Sequence, residues 1–323
     1  MTNRRDFLKN ASLLTLGGLV AGKASVSAAT AASAPISAQA SKNFGLQTYS
    51  LSRELAEDVA GGLKKVKAMG YSYIELAGYN QAEGKIGQVS MADYKKMADD
   101  AGLKIVSSHL NPPVRGAYSA ENRGEISEFW KKAADHHAAI GCEKIIQPGQ
   151  PSTPSVEQAK LIGEVFNDAG RIAKAAGLSW GYHNHDGEFA RIVPGGTEAI
   201  TGRRMPRPVP EGMMVIEEAY MEYTDPSLVF FELDVYWTVM GQNDPVEFMK
   251  KHPTRINKIL HIKDKYALGQ SGMMNFENIF KQAYANGVSQ FIVELESVAS
   301  TGMTQFEGAK ASADYLKNAS FVR

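Results

Sequence analysis

The sequence predicts an α/β fold, a single-domain (β/α)8 TIM barrel, and three observations carry that prediction. From Asn43 onward, short β-rich runs alternate with segments whose apolar residues recur at three- and four-residue spacing, the pattern of βα units around a parallel sheet. Eight such units can be counted in a chain of 323 residues, a length that one barrel accommodates. No Gly-x-Gly-x-x-Gly run follows the first strand candidate, which disfavours a dinucleotide-binding open sheet.

The elements follow in order. Strands are expected at 44–48, 73–76, 104–108, 144–147, 179–183, 229–234, 259–262 and 291–294, where pairs such as Ile105-Val106, Ile145-Ile146 and Ile292-Val293 supply β-branched side chains between turn residues. Helices are expected at 56–68, 91–101 and 156–176, stopped by Gly70, Gly102 and Gly177, since a left-handed cap favours glycine. The stretch 195–214 has Gly195-Gly196, Arg203-Arg204 and three prolines that interrupt any period, so an irregular insertion of the lid or partner-contact kind is expected after strand five.

The first residues are different material. Arg4-Arg5-Asp6-Phe7-Leu8-Lys9 precedes an apolar stretch at 11–21 and an Ala/Ser-rich tract with small-x-small sites such as Val26-Ser27-Ala28 and Ala38-Gln39-Ala40. Basic, apolar and small residues in that order match a twin-arginine export signal. Residues 1–41 are therefore expected to be a signal and linker and 42–323 the mature barrel, in the periplasm or envelope of a bacterium. The apolar part is too short and too rich in glycine for a membrane span, and none is expected in the mature protein.

Basic and acidic side chains balance at 35 each, which argues against a nucleic-acid partner and for a small molecule; homo-oligomerisation is left open. Cys142 is the single cysteine, which excludes an internal disulfide and a thiolate-cluster metal site, and it is expected to pack as a small apolar residue. Any metal would be held by His, Asp and Glu.

Four late strands end in such residues. His183-Asn184-His185 alternates, so both imidazoles lie on one face of an extended strand, open to a metal, acid/base or structural role. Asp234 follows the apolar run 229–233, His261 sits within Ile259-Leu260-His261-Ile262, and Glu294 follows Phe291-Ile292-Val293. Ionisable groups in buried strands are costly unless paired or coordinating, and parallel barrels carry their chemistry at the C-terminal strand ends. Mixed imidazole and carboxylate donors suit Mn²⁺, Co²⁺, Fe²⁺ or Zn²⁺. His136-His137, in a predicted helix, is expected to be a solvated or packed pair.

Across nearly the whole mature chain the sequence resembles the xylose-isomerase-like superfamily of barrels, specifically the sugar phosphate isomerase/epimerase-type group. The matching segments are Gly45-Leu46-Gln47-Thr48-Tyr49-Ser50, Gly70-Tyr71-Ser72-Tyr73-Ile74-Glu75-Leu76, the run from Gly102 to His109, Tyr182-His183-Asn184-His185, Leu233-Asp234-Val235-Tyr236-Trp237, His261-Ile262-Lys263-Asp264 and Phe291-Ile292-Val293-Glu294. The resemblance implies one divalent metal, Mn first and Co, Zn, Fe or Mg as alternatives, held by residues of strands five to eight. Asp234, His261 and Glu294 match three of the usual positions; His183 stands where many relatives have Glu.

By the same resemblance, Glu75, His109, Gln147 and Trp237 contact a sugar, with Glu75 alternatively a partner for a buried cation and Trp237, like Tyr236, alternatively core. Lys263 holds an enolate or hydroxyl, His185 is the general base, Glu294 a ligand and second base, and Glu188 orients a histidine. Glu296 replaces Glu294 if the strand register differs. The implied function is a metal-dependent carbohydrate isomerase or epimerase working through a metal-stabilised enediolate. Alternatives are a lyase or hydratase acting on keto-sugars or 3-keto-glycosides, and a non-catalytic sugar-binding barrel.

Overall fold

The structure, a computed structural model, describes residues 42–202 and 206–323. The expected export signal in residues 1–41 and the basic pair Arg203-Arg204 lie outside them. Among the described residues no helix is long and apolar enough to cross a membrane.

Eight parallel strands close into a barrel, each pairing with its neighbours in sequence and the last with the first. They are β1 (Gly45–Gln47), β2 (Tyr73–Leu76), β3 (Lys104–His109), β4 (Lys144–Gln147), β5 (Ser179–His183), β6 (Val229–Asp234), β7 (Ile259–Lys263) and β8 (Gln290–Glu294). The helices are α1 (Ser52–Glu57), α2 (Val59–Met69), α3 (Met91–Ala101), α4 (Arg123–Ala139), α5 (Val156–Ala175), α6 (Ile216–Glu222), α7 (Val235–Met240), α8 (Pro245–Lys251), α9 (Phe276–Asn286) and α10 (Gln305–Asn318).

The helix expected at 56–68 is two helices. Asp58 leaves helical geometry and accepts the Gly61 N–H at 2.8 Å as the N-cap of α2, so the chain turns there. Gly70 and Gly102 take the left-handed φ of 105° and 75° that their stop role demands. Two excursions interrupt the βα alternation. A three-stranded antiparallel sheet (Tyr79–Asn80, Lys85–Ile86, Val89–Ser90) follows β2, and the insertion after β5 is pinned where Arg191–Ile192 pairs with Met214–Val215.

The wall of the barrel has two faces. Leu46, Ile74, Ile105, Trp180, Leu233 and Val293 face the helices and join the main core. Inside, Tyr73, Val106, Ile146, Phe230, Ile259 and Ile292 form a separate apolar layer. Glycines make room for its rings: a Cβ at Gly45 would lie 2.3 Å from Tyr73, and one at Gly181 2.4 Å from Phe230. At the N-terminal end of the strands Lys144 Nζ donates to Glu143 at 3.0 Å and Gln290 at 2.7 Å. Cys142 is buried there, with its thiol pushed up to about 12 by burial, an inert packing residue as expected.

On the outside, α5 lies against the segment that leads into β6 so closely that a Cβ on Gly170 would sit 2.7 Å from the Leu228 carbonyl oxygen. Backbone cannot step aside as a side-chain tip can. Gly170→Ala gains roughly 1 kcal/mol of helix propensity, and the overlap costs more than it returns. A net loss of about 2 kcal/mol is expected, read as a lower urea midpoint at unchanged m-value.

Candidate active site

Above the apolar layer, the inward positions of the strands become ionisable. Alternation places Glu232 and Asp234 of β6 on one face, as it does His261 and Lys263 of β7. Glu232 is registered beside His183, Asp234 beside His261, and Lys263 beside Glu294, so the polar residues climb from strand to strand. All six are buried.

His261 is the centre. Its Nε2 donates to Glu75 Oε1 at 2.6 Å and lies 3.4 Å from Glu232 Oε2, while its Nδ1 lies 3.1 Å from Glu294 Oε2 and 3.9 Å from Asp234 Oδ2. One imidazole thus separates two carboxylate pairs. On the Nε2 side every nitrogen is engaged: His109 Nε2 reaches Glu232 at 2.8 Å and Glu75 at 3.1 Å, and His183 Nδ1 reaches Glu232 at 3.1 Å. The Nδ1 side differs. There a nitrogen, His261 Nδ1, as well as Asp234 Oδ2 has no well-aligned hydrogen-bond partner among the described residues, whereas on the Nε2 side only the carboxylate oxygens Glu75 Oε2 and Glu232 Oε1 lack one.

Each neighbour on that side is held from behind. Asp234 Oδ1 accepts the N–H groups of Tyr236 and Trp237 at 2.8 and 2.9 Å, capping α7, and its own N–H donates to Asn184 Oδ1. Glu294 Oε1 accepts from Lys263 Nζ at 2.8 Å, and Lys263 also donates to Glu296 at 2.5 Å and lies 4.8 Å over the Trp237 ring.

The charges follow from burial set against these contacts. Burial opposes charge on His261, but Glu232 and Glu75 outweigh it and raise its pKa far above the usual imidazole range. Burial, reinforced by His261 and His109, holds His183 far below that range, so it is neutral. Burial also lowers His185. Asp234 is pushed up to about 6 by burial. Burial works against the Glu294 carboxylate, yet His261 and Lys263 hold it well below its usual value. Glu75 and Glu232 share the imidazoles: burial and Glu75 push Glu232 up, and Glu75 keeps the low value because His109 and His261 overcome its burial.

The mouth above is a cavity of about 370 Å³ lined by Tyr49, His109, Asn111, His183, His185, Glu294 and Glu296, among others. The structure therefore brings His183, His185, His109 and Glu294 to one space. His185 is placed by Glu188, whose Oε2 accepts its backbone N–H at 3.0 Å while Oε1 accepts Tyr182 OH at 2.6 Å. Trp237 lies 5.6 Å from the His185 ring. The expected sugar contacts Glu75 and Gln147 are placed otherwise. Glu75 is fully buried against His109, His261 and Gln47 and does not line the mouth. Gln147 is committed to Tyr118 and to the Gly149 carbonyl.

Glu232 was given no role by the sequence reading, although it stands two residues before Asp234 and the alternation that paired His183 with His185 applies equally to it. It completes a group, His109, His183, Glu232 and His261, whose ligand atoms all lie within 4.8 Å of one another and which is able to hold a metal ion. That group and the Asp234–His261–Glu294 corner share His261.

Residues 63–319 match the family described as xylose isomerase-like TIM barrel. Among solved structures, the chain is 49% identical to a sugar phosphate isomerase/epimerase from Parabacteroides distasonis, covering 91% of this chain and 99% of that one at a TM-score of 0.81. A second structure so described from the same organism is 50% identical, with 87% and 100% covered and a TM-score of 0.79. A 3-keto-D-glucoside 4-epimerase from E. coli shares the fold at 15% identity, with 86% and 99% covered and a TM-score of 0.62. No match is found among curated proteins.

Proposed function

Because the chain belongs to the xylose isomerase-like TIM-barrel family, we propose that it is a carbohydrate isomerase or epimerase that works with one divalent cation. The relatives that share about half its residues, described as sugar phosphate isomerase/epimerases, support that reading. The observation that carries it is the two-sidedness of His261. With the proton shared with Glu75 kept on Nε2, the Nε2 side serves as a support and Nδ1 is left to exchange its proton for the ion. On the other side Asp234 Oδ2 and Glu294 Oε2 both approach His261 Nδ1, and His183, whose Nδ1 reaches Glu232, would supply its Nε2 as the fourth donor. An imidazole ligand whose second nitrogen donates to a carboxylate is the usual arrangement of a protein metal site. Mn²⁺ is the first choice by the family resemblance, with Co²⁺, Zn²⁺, Fe²⁺ or Mg²⁺ as alternatives, and the second imidazole shifts the donor set toward the softer of these.

A divalent ion there would polarise the two oxygens flanking the reacting carbon and acidify its C–H bond. The chain supplies the rest. His185, neutral at pH 7 and in the mouth, accepts the proton and returns it. Lys263, kept charged by Glu294 and Asp234 against its burial, directs positive charge toward the oxyanion. Glu294 is the second base. Export through the Arg4-Arg5 signal would place this activity in the periplasm or envelope.

A second reading is favoured by the mouth's makeup: its carboxylates, Glu294 and Glu296, both come from the β8 side, and β5 presents imidazoles. With no carboxylate pair facing across the carbon, loss of a β-substituent after proton removal, a lyase step on a 3-keto-glycoside, competes with proton return. Incubating the Mn-loaded protein in D₂O with a ketohexose and with a 3-keto-glycoside separates the two. Deuterium incorporation without aglycone release is expected; release establishes the lyase, and neither outcome leaves only a binding barrel. His183→Ala and Asp234→Ala should each lose the metal, and full retention by elemental analysis in both would refute the site.

A further inference from the structure

Beside the mouth lies a second cavity of about 300 Å³, beyond the C-terminal ends of β1 and β2 and roofed by the small antiparallel sheet. Its lining is of the opposite kind: Leu55 and Val59 from α1 and α2, Ile86 and Val89 from the sheet and Tyr94 from α3, with no acidic, basic or imidazole side chain. The two cavities adjoin, with Tyr49, Ala77 and Gly78 as their common border. Gly78 keeps the junction clear, and its φ of 82° disfavours any side chain there. The Tyr49 ring, 53% exposed at the border, offers a flat apolar surface to both.

We propose that the substrate is a keto-glycoside, carrying its carbonyl on the sugar ring, with an apolar, aryl-type aglycone: the sugar occupies the polar mouth and the aglycone the Leu55–Val59–Ile86–Val89 pocket. The assignment rests on the carbohydrate reading of the mouth and narrows it. A free sugar would leave the second cavity to water, which apolar walls hold poorly, whereas an aromatic ring removes those walls from water along with itself. Burying a ring of that size is worth roughly tenfold or more in affinity.

The probes are methyl β-D-glucopyranoside and 4-nitrophenyl β-D-glucopyranoside, which share the sugar and differ in the aglycone, titrated calorimetrically into the Mn-loaded full chain. The nitrophenyl compound is expected to bind about tenfold more tightly. Val89→Trp and Val59→Phe, which fill the pocket from opposite walls at half-buried positions, are each expected to erase that difference while binding the methyl glucoside as the parent does. Equal affinities in the parent protein, or a preference that survives both substitutions, overturns the aglycone pocket and leaves the sugar site standing. Failure of the parent protein to bind either glucoside while it binds a ketohexose overturns the pocket and leaves the sugar site standing; failure to bind the ketohexose as well overturns the carbohydrate reading and the pocket with it.

Discussion

Replacing His261 by glutamine is expected to strip the metal and to lower proton exchange at the substrate carbon by about a thousandfold or more, since a bound cation supplies several kcal/mol of charge stabilisation. The expectation comes from geometry. The ring's Nδ1 is the one nitrogen facing both Asp234 and Glu294, and a neutral amide offers a weaker donor at that point. A proton and a metal ion compete for Nδ1, and Glu294, which joins Glu232 and Glu75 in holding His261 charged, would welcome a cation in the proton's place. Glu75→Gln tests the supporting side separately. Its amide oxygen can still accept from Nε2, but without a full charge to raise ligand basicity, and metal affinity should fall about 10- to 100-fold. Metal content near one equivalent in His261→Gln would mean that the ion sits elsewhere.

The second large effect is on stability in acid. His137 of α4 is fully buried; its Nδ1–H donates to the Ala133 carbonyl at 2.7 Å, and its Nε2 has no partner among the described residues. Protonating Nε2 in the fold would bury an unpaired N–H⁺, and burial accordingly lowers its pKa from 6.5 to about 4. Above pH 6.5 the ring is neutral folded and unfolded, and contributes no pH dependence. As pH falls from 6.5 toward 4 only the unfolded chain takes up the proton, so stability drops, by roughly 3 kcal/mol in all. Below about 4 both states are protonated and the loss stops growing. Urea unfolding of the parent protein and His137→Leu at pH 7.5 and pH 4 isolates this residue, because the other titrating groups cancel. The variant should lose about 3 kcal/mol less on acidification, and equal losses would show that His137 is not the acid-sensitive group.

The eight strands were legible because each is a run of β-branched or aromatic residues bounded by turn signals, and such runs have little else to become. The small sheet roofing the side pocket was not, since strands of two residues carry no period to detect. At the site, Asp234, His261, Glu294 and His183 stood out as ionisable groups closing apolar runs. Glu232 does not stand out, because it lies inside its apolar run, one pleat deeper than the end marked by Asp234. That His109 of β3 meets Glu232 of β6 could not be read from the chain, because it depends on closure of the barrel across its diameter. For the same reason the contacts of Glu75 with His109 and His261 are not legible in the chain, since they too depend on closure of the barrel.

The apolar layer of Tyr73, Val106, Ile146, Phe230, Ile259 and Ile292, with the Lys144–Glu143–Gln290 cluster at the opposite end, makes the barrel a blind well. Whatever enters must leave by the way it came. A ligand held there can therefore be screened from water by covering one rim alone, since the opposite end of the barrel offers no second way in.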